Sequence, residues 1–225
     1  IEVHLRQQQK LESIGTLASG VAHEINNPIM GIMNYATLIS ERLDPSQSQL
    51  REFADEIGHE TERVATIVNN LLTFSRQDKQ SHSPARIRDI VDGTLSLIRT
   101  VIKRDQITLE VDVPDDLPAL KCRSQQIQQV LMNLFTNARD ALNARYPEYD
   151  PKKIINMSVH LFEKEGRRWL RTTIEDHGAG IPVEIRDRIF DPFYTTKDRA
   201  TGTGLGLSIS LGIVKDHHGE LTFES

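Results

Sequence analysis

His23 sits within GTLASGVAHEINNPIMG, Gly15 to Gly31, beside the carboxylate of Glu24, four residues before the amide of Asn27 and five before Pro28. On a helix Asn27 shares the face of His23 one turn along, while Glu24 lies about a quarter-turn away. Apolar residues at Leu11, Ile14, Ala18, Val21, Ile25, Ile32 and Ile39 recur mostly at spacings of three and four, the seam of a helix packed on other helices. His23 falls two residues after Val21, so its imidazole is expected to face water, where it can meet a second protein domain. Pro28 lacks an N–H and its ring collides with the preceding turn, which is expected to bend or loosen the helix close to His23. A lone His-Glu pair on a helix is usually only a solvated one. The second half of the chain gives this pair its weight.

There, QVLMNLFTNARDA places Asn133 and Asn137 four apart on one helix face, with Val130, Leu131, Leu134 and Ala138 supplying apolar contacts. Two stacked amides can bind an ion or a polar ligand, and a Mg²⁺ held mainly by nucleotide phosphates needs only one or two oxygen ligands from protein. Asp176, opening DHGAG at a strand end, is placed to accept a hydrogen bond from a flat ligand edge. IFDPFYTTK, Ile189 to Lys197, sets aromatics beside a lysine. Gly202-Thr203-Gly204-Leu205-Gly206-Leu207 then opens a helix, and a glycine-rich segment feeding a helix N-terminus can aim several N–H groups at phosphate. No strand immediately precedes these glycines and no βαβ unit surrounds them, which excludes a dinucleotide-binding fold.

The elements that must position these groups follow from periodicity and breakers. A helical pattern runs from Ile1 to about Arg42. LDPSQSQ, Leu43 to Gln49, turns the chain, with Ser46 or Ser48 able to cap the next helix, which runs to about Arg76. Two long helices on a short turn make an antiparallel hairpin. Each has an apolar face wider than one partner covers, so two hairpins are expected to form a dimeric four-helix bundle. Polar QDKQSHSP, Gln77 to Pro84, reads as a linker. Beyond it come a helix over Ile87 to Ile102, a strand over Ile107 to Val113, a capped helix over Ser124 to Arg145, strands over Ile154 to Phe162 and Trp169 to Glu175, and a helix from about Leu205 to Asp216. Mixed strands and helices with one apolar sheet face imply an α+β two-layer sandwich with helices on one side. The expected divisions are a helical hairpin at 1–78, a linker at 79–85 and an α+β domain at 86–225.

The chain has 225 residues, 38% apolar and 26% charged, with a net charge of −5. That balance offers no electrostatic case for nucleic acid. Cys122 is the single cysteine, which excludes an intrachain disulfide or a cysteine-based zinc site. No apolar run is long enough to span a bilayer. The opening IEVHLRQQQKLES is helical in character and the closing LTFES reads as a strand cut short, so a fragment of something longer is expected.

HEINNP, NLFTNARDA, DHGAG, FDPFYTTK and GTGLGL, in this order and spacing, resemble the five sequence boxes of a two-component sensor histidine kinase core. The wording is most like that of the nitrogen-regulatory class. The match runs from about Leu11 to Phe223. The second domain is similar to the Bergerat fold of DNA gyrase, the Hsp90 chaperone and MutL. The resemblance implies that His23 accepts the γ-phosphoryl group of ATP, that Glu24 takes or orients the imidazole proton, and that Asn27 positions a water when the core dephosphorylates its partner. It implies Asn137 as the Mg²⁺ ligand, with Asn133 beside it contacting phosphates or metal-bound water. Asp176 is implied as the adenine-binding acid, with Gly178 and Gly180 letting the base approach. Gly202, Thr203, Gly204, Leu205 and Gly206 are implied as the phosphate cradle, with Lys197 contacting phosphate. The implied partners are a second copy through the hairpin, a response-regulator receiver domain, and a sensor domain upstream of this chain. The implied location is the cytoplasm, with any spanning helix lying before Ile1.

The chemistry agrees. An imidazole is largely neutral at cellular pH and nucleophilic without deep burial, and phosphoryl transfer needs positioning and charge neutralisation above all. A gyrase-like or chaperone-like ATPase is disfavoured. Those relatives carry a water-activating glutamate four residues before the metal-binding asparagine, where this chain has Asn133, which cannot act as a base.

Overall fold

The computed structural model describes residues 25, 27–44, 46–75, 82–197 and 202–225, with backbone only for several side chains of the second helix. By contacts these fall into two compact units, one within 1–79 and 195–205, the other within 80–194 and 206–225.

In the first unit, residues 27–42 form α1 and Ser48–Ser75 form α2. The turn between them is closed by Gln47, whose backbone N–H donates to the Asp44 carbonyl at 2.9 Å while its Oε1 accepts the Asp44 N–H at 3.1 Å. Ser40 donates to Asp55 at 2.7 Å, and Ile25 packs against Val64 and Val68. These contacts align the helices antiparallel, as the short turn requires. Ala36 and Ala54 are buried, small residues that let the helices approach. The seam residues Ile32, Ile39, Phe53 and Ile57 are each about half exposed. A groove of about 550 Å³, lined by Ile29, Ile32, Phe53, Ile57 and Val64 among others, runs along that face. One hairpin therefore leaves much of its apolar surface uncovered.

The second unit contains β1 (Ser83–Ala85), α3 (Ile87–Arg104), β2 (Thr108–Asp112), β3 (Leu120–Cys122), α4 (Ser124–Arg145), β4 (Ile154–Lys164), β5 (Arg167–Asp176), a short 3-10 turn at Val183–Arg188 and α5 (Gly206–Asp216). The main sheet has the order β2-β4-β5, with β2 parallel to β4 and β4 antiparallel to β5. Ile155, Met157 and Val159 alternate inward along β4 and are almost fully buried. They share one core with Val91 and Leu95 of α3 and Phe135, Ala138 and Leu142 of α4. This gives the two-layer arrangement that period-two strands and amphipathic helices require.

Four local readings shift. Ser83–Ala85, expected in the linker, pairs antiparallel with β3 in a separate two-stranded sheet. The β4–β5 hairpin is longer than the pattern suggests, because Glu165 and Gly166 both take positive φ, +54° and +72°. That tight mirror-image turn lets Lys164 pair directly with Arg167. Ser124 is the first helical residue of α4; the cap position belongs to Arg123, in extended conformation and without a side-chain cap bond. Residues 221–225 do not form the expected strand. Instead Phe223 packs on Phe190 and Ser225 accepts the Ile181 N–H and bonds to Arg186.

Arg139 and Asp140, left without a role by the sequence, meet a polar node. Arg139 Nε and Asn143 Nδ2 both donate to Asp105 Oδ2, the latter at 2.8 Å, and Arg139 also pairs with Asp140 at 3.5 Å. Burial alone would raise the Asp105 pKa. The bonds from Asn143 and Arg139 and the guanidinium charge more than offset it, holding the carboxyl below its ordinary 3.8. A depressed folded pKa stabilises the fold above the unfolded value, and that stability is lost as pH falls through the folded value. Arg139→Ala is expected to cost about 2 kcal/mol in urea unfolding at pH 7, by stripping a nearly buried carboxylate of its cation. Because the variant loses the stabilising shift, its stability should fall less than the wild type's when the same measurement is repeated at pH 3.

Candidate functional site

Every fourth residue of α4 from Asn133 onward builds one strip: Asn133, Asn137, Ala141 and Arg145. At ~1.5 Å per residue the strip is about 18 Å long. At one end Asn133 Nδ2 donates to the Gly206 carbonyl at 3.0 Å and to Ser210 Oγ at 3.1 Å, both in α5. At the other end Arg145 Nη1 donates to the carbonyls of His177 at 3.1 Å and Gly178 at 2.6 Å. Between them Ala141 lies under Gly178, where an added Cβ would come within 2.7 Å of the alanine methyl. The half-buried Asn137 occupies the middle of the strip.

Asp176 ends β5 in register with Ile155, which is fully buried on the helix-facing side. Alternation therefore aims its side chain toward the helix layer. Its Oδ1 accepts the Gly178 N–H at 2.9 Å, the local turn a short acidic side chain favours. Although the residue is exposed as a whole, partial burial of the carboxyl raises its pKa above 3.8, with Glu175 adding to the rise and the Gly178 bond and His177 opposing it. Gly180 follows with φ at +71°.

The glycine-rich segment, taken by itself, is closed by its own side chains. Lys197 N–H donates to Thr195 Oγ1 at 3.1 Å and Leu205 N–H to Thr203 Oγ1 at 3.4 Å. Gly202 lies against Thr195 and Lys197 so closely that a Cβ would collide with both. Gly204 takes φ of +66°, and Leu205 is buried.

The donor chemistry fits a Mg-nucleotide. Asn133 has committed both amide hydrogens to α5, so the group it can offer a ligand is its carbonyl oxygen, a hard ligand suited to Mg²⁺. Among the described residues no group of three His, Cys, Asp or Glu could hold a metal. A cation here would draw most of its oxygens from phosphate.

Of the expected site residues, the second unit brings together Asn133, Asn137, Asp176, Gly178, Gly180 and Gly206. Asn27 is exposed on α1. His23 and Glu24 lie outside the described residues. Sequence reasoning missed Ala141 and Arg145, although both continue the four-residue spacing of the two asparagines. It also missed Ser210, whose only signal is its place four residues after Gly206.

Residues 122–225 match the family of histidine kinase-, DNA gyrase B- and HSP90-like ATPases, and residues 13–80 match the His Kinase A (phospho-acceptor) domain. The chain is 31% identical to the sensor kinase CckA of Brucella abortus, over 100% of this chain and 24% of that protein. It is 33% identical to the C4-dicarboxylate transport sensor protein DctB of Rhizobium meliloti, over 100% of this chain and 35% of that one. It thus spans about a quarter to a third of these relatives. Among solved structures, full-length ShkA in complex with AMPPNP aligns with a TM-score of 0.65 at 22% identity, over 88% of this chain and 41% of that one. Histidine kinase ThkA in complex with the response regulator TrrA aligns at 0.57 and 24%, over 97% and 59%. At these identities the two structures speak for the fold. No helix among the described residues is long and apolar enough to cross a membrane.

Proposed function

The chain belongs to the two-component sensor histidine kinases, of which it is the catalytic core, and on that premise we propose that it transfers the γ-phosphoryl group of Mg-ATP to His23 and then to an aspartate of a response-regulator receiver domain. The observation that carries this is the α4 strip. One helix face runs from Asn133, tied to the N-terminus of α5, through Asn137 to the turn that holds Asp176. A nucleotide lying along it would place adenine at Asp176 and phosphates at Asn137 and the N–H groups opening α5. Lys197 and the Gly202 to Gly206 segment are proposed to contact phosphate as well, on the sequence resemblance alone.

A ring nitrogen of His23 attacks the γ-phosphorus, the bond to the β–γ bridging oxygen breaks, and ADP leaves with that electron pair. Glu24 takes or orients the remaining imidazole proton. Mg²⁺, when bound, neutralises charge on the phosphates; Asn137 would hold it, with Asn133 alongside. A carboxylate oxygen of the regulator then attacks that phosphorus, and the P–N bond breaks with its electron pair returning to the imidazole nitrogen. The same core is proposed to hydrolyse the regulator's acyl phosphate, with the exposed Asn27 positioning water. Two copies join through the half-exposed apolar face of the hairpin, which supports the homodimer. We place this core in the cytoplasm, where its ATP and its regulator are found.

The test is incubation with ATP labelled in the γ-phosphate, comparing wild type with His23→Gln and Asn137→Asp. Acid-labile, base-stable label is expected in the wild type and in neither variant. Free phosphate released at equal rates by wild type and His23→Gln, with no labelled protein, would make the chain an ATPase.

A further inference from the structure

α4 and α5 are joined at two levels within the second unit. Near the site, Asn133 bonds to Gly206 and Ser210. At the far end the backbone N–H of Arg123, the cap of α4, donates to Nε2 of His217, the residue following α5, at 3.0 Å. A backbone N–H can only donate, so Nε2 is the bare nitrogen of that ring. Nδ1 therefore carries the hydrogen and donates to the Ile213 carbonyl at 2.8 Å. Both nitrogens are used in a single neutral tautomer.

His82 stands edge-on to His217, centroids 4.8 Å apart at 61°. Ten residues of α4 separate Arg123 from Asn133, and eleven residues separate Gly206 from His217. At ~1.5 Å per residue these are about 15 and 16 Å of helix. The two ties are matched in span, so the antiparallel helices are pinned without a frame shift between them.

We propose that His217 is a positioning residue for nucleotide binding: through Nε2 it fixes the axial register of α5 on α4, and so sets where Gly206 and the helix end it opens stand relative to Asn133 and Asn137. This rests on the Mg-ATP reading of the site. A slip of one residue would move the N–H groups of the helix end by ~1.5 Å, enough to misplace hydrogen bonds to phosphate. His217 makes no contact with nucleotide in this scheme; it acts through the helix.

The rival role is local: the Nδ1 bond to Ile213 merely finishes the end of α5. Three shorter substitutions separate the roles. His217→Gln can carry an acceptor oxygen to the Arg123 N–H. His217→Asn reaches only the Ile213 carbonyl, and His217→Ala reaches neither. Mg-ATP dissociation constants of the full 225-residue chain would be read by calorimetry, with melting temperatures alongside. Expected are affinities within about 3-fold of wild type for His217→Gln and weakened ~10-fold or more for His217→Asn and His217→Ala. If His217→Ala does not fold, the Gln and Asn pair decides. Equal affinities for Gln and Asn, or affinities that track melting temperature whichever bond is kept, would overturn the proposal. A wild-type chain that does not bind Mg-ATP would overturn the nucleotide reading itself, and this inference with it.

Discussion

Asp176→Asn is expected to weaken Mg-ATP binding about 100-fold while leaving the unliganded chain at least as stable as wild type at pH 7. The two halves of this result have different origins. Partial burial, then Glu175, holds the Asp176 carboxyl above its ordinary 3.8. A raised folded pKa favours folding most below the unfolded value, and that contribution is lost as pH rises through the folded value. At pH 7 the carboxylate is therefore a cost to the fold. Asparagine removes that charge, keeps the shape, and retains an oxygen for the Gly178 N–H now bound at 2.9 Å. The same bond orients the new amide. With its oxygen turned to Gly178, its NH₂ occupies the place of the free carboxylate oxygen and faces the amino edge of adenine, donor against donor. Calorimetry with Mg-ATP and urea unfolding at pH 7 check the two halves separately. Unchanged affinity would place the base elsewhere; a clear loss of stability would mean that the charge supports the turn.

The candidate boxes were legible because the chemistry they suggest is local in sequence. Asn133 and Asn137 share a helix face by spacing alone, and glycines before an apolar helix announce a helix end aimed at an anion. The helices and longer strands followed from period and breakers, and those described lie within a few residues of their expected bounds. What escaped was made by residues far apart in the chain. The Asp105 node joins positions 34 and 38 residues distant, and the Arg123–His217 bond spans 94. Arg139 gives no sign in the sequence that its guanidinium turns inward, since an arginine on a helix normally reads as solvated. Ser83–Ala85 escaped because three residues with a proline at their centre carry too little pattern to be read as a strand. Its partner β3, equally short, lies 37 residues along. The closing LTFES alternates like a strand, yet its contacts go to Phe190, Ile181 and Arg186 rather than into a ladder. Alternation reports which side chains want burial; it does not say what will cover them.

Gly178→Ala should be more damaging than Asp176→Asn, and for a reason a charge argument does not contain. A Cβ on residue 178 would stand 2.6 Å from Asp176 Oδ1, 2.7 Å from Ala141 Cβ and 2.9 Å from the Ala141 carbonyl carbon. Carbon contacts are comfortable at about 3.5 to 4.0 Å, and neither the helix backbone nor a methyl can rotate out of the way. The turn must lift from α4. Lifting it strains the two bonds from Arg145 to the His177 and Gly178 carbonyls and carries Asp176 off the strip that leads to Asn137. Overpacking of this kind costs about 1–3 kcal/mol of stability, and the displaced acid should lower Mg-ATP affinity by more than about 100-fold, since alignment and hydrogen bond are lost together. A second substitution, Ala141→Gly, tests the geometry. It removes one of the three collisions and leaves the other two, so it is expected to return part of the stability and little of the affinity. Full recovery of binding in that double variant would show that methyl against methyl was the whole obstacle, and that the turn does not depend on close approach to the α4 backbone.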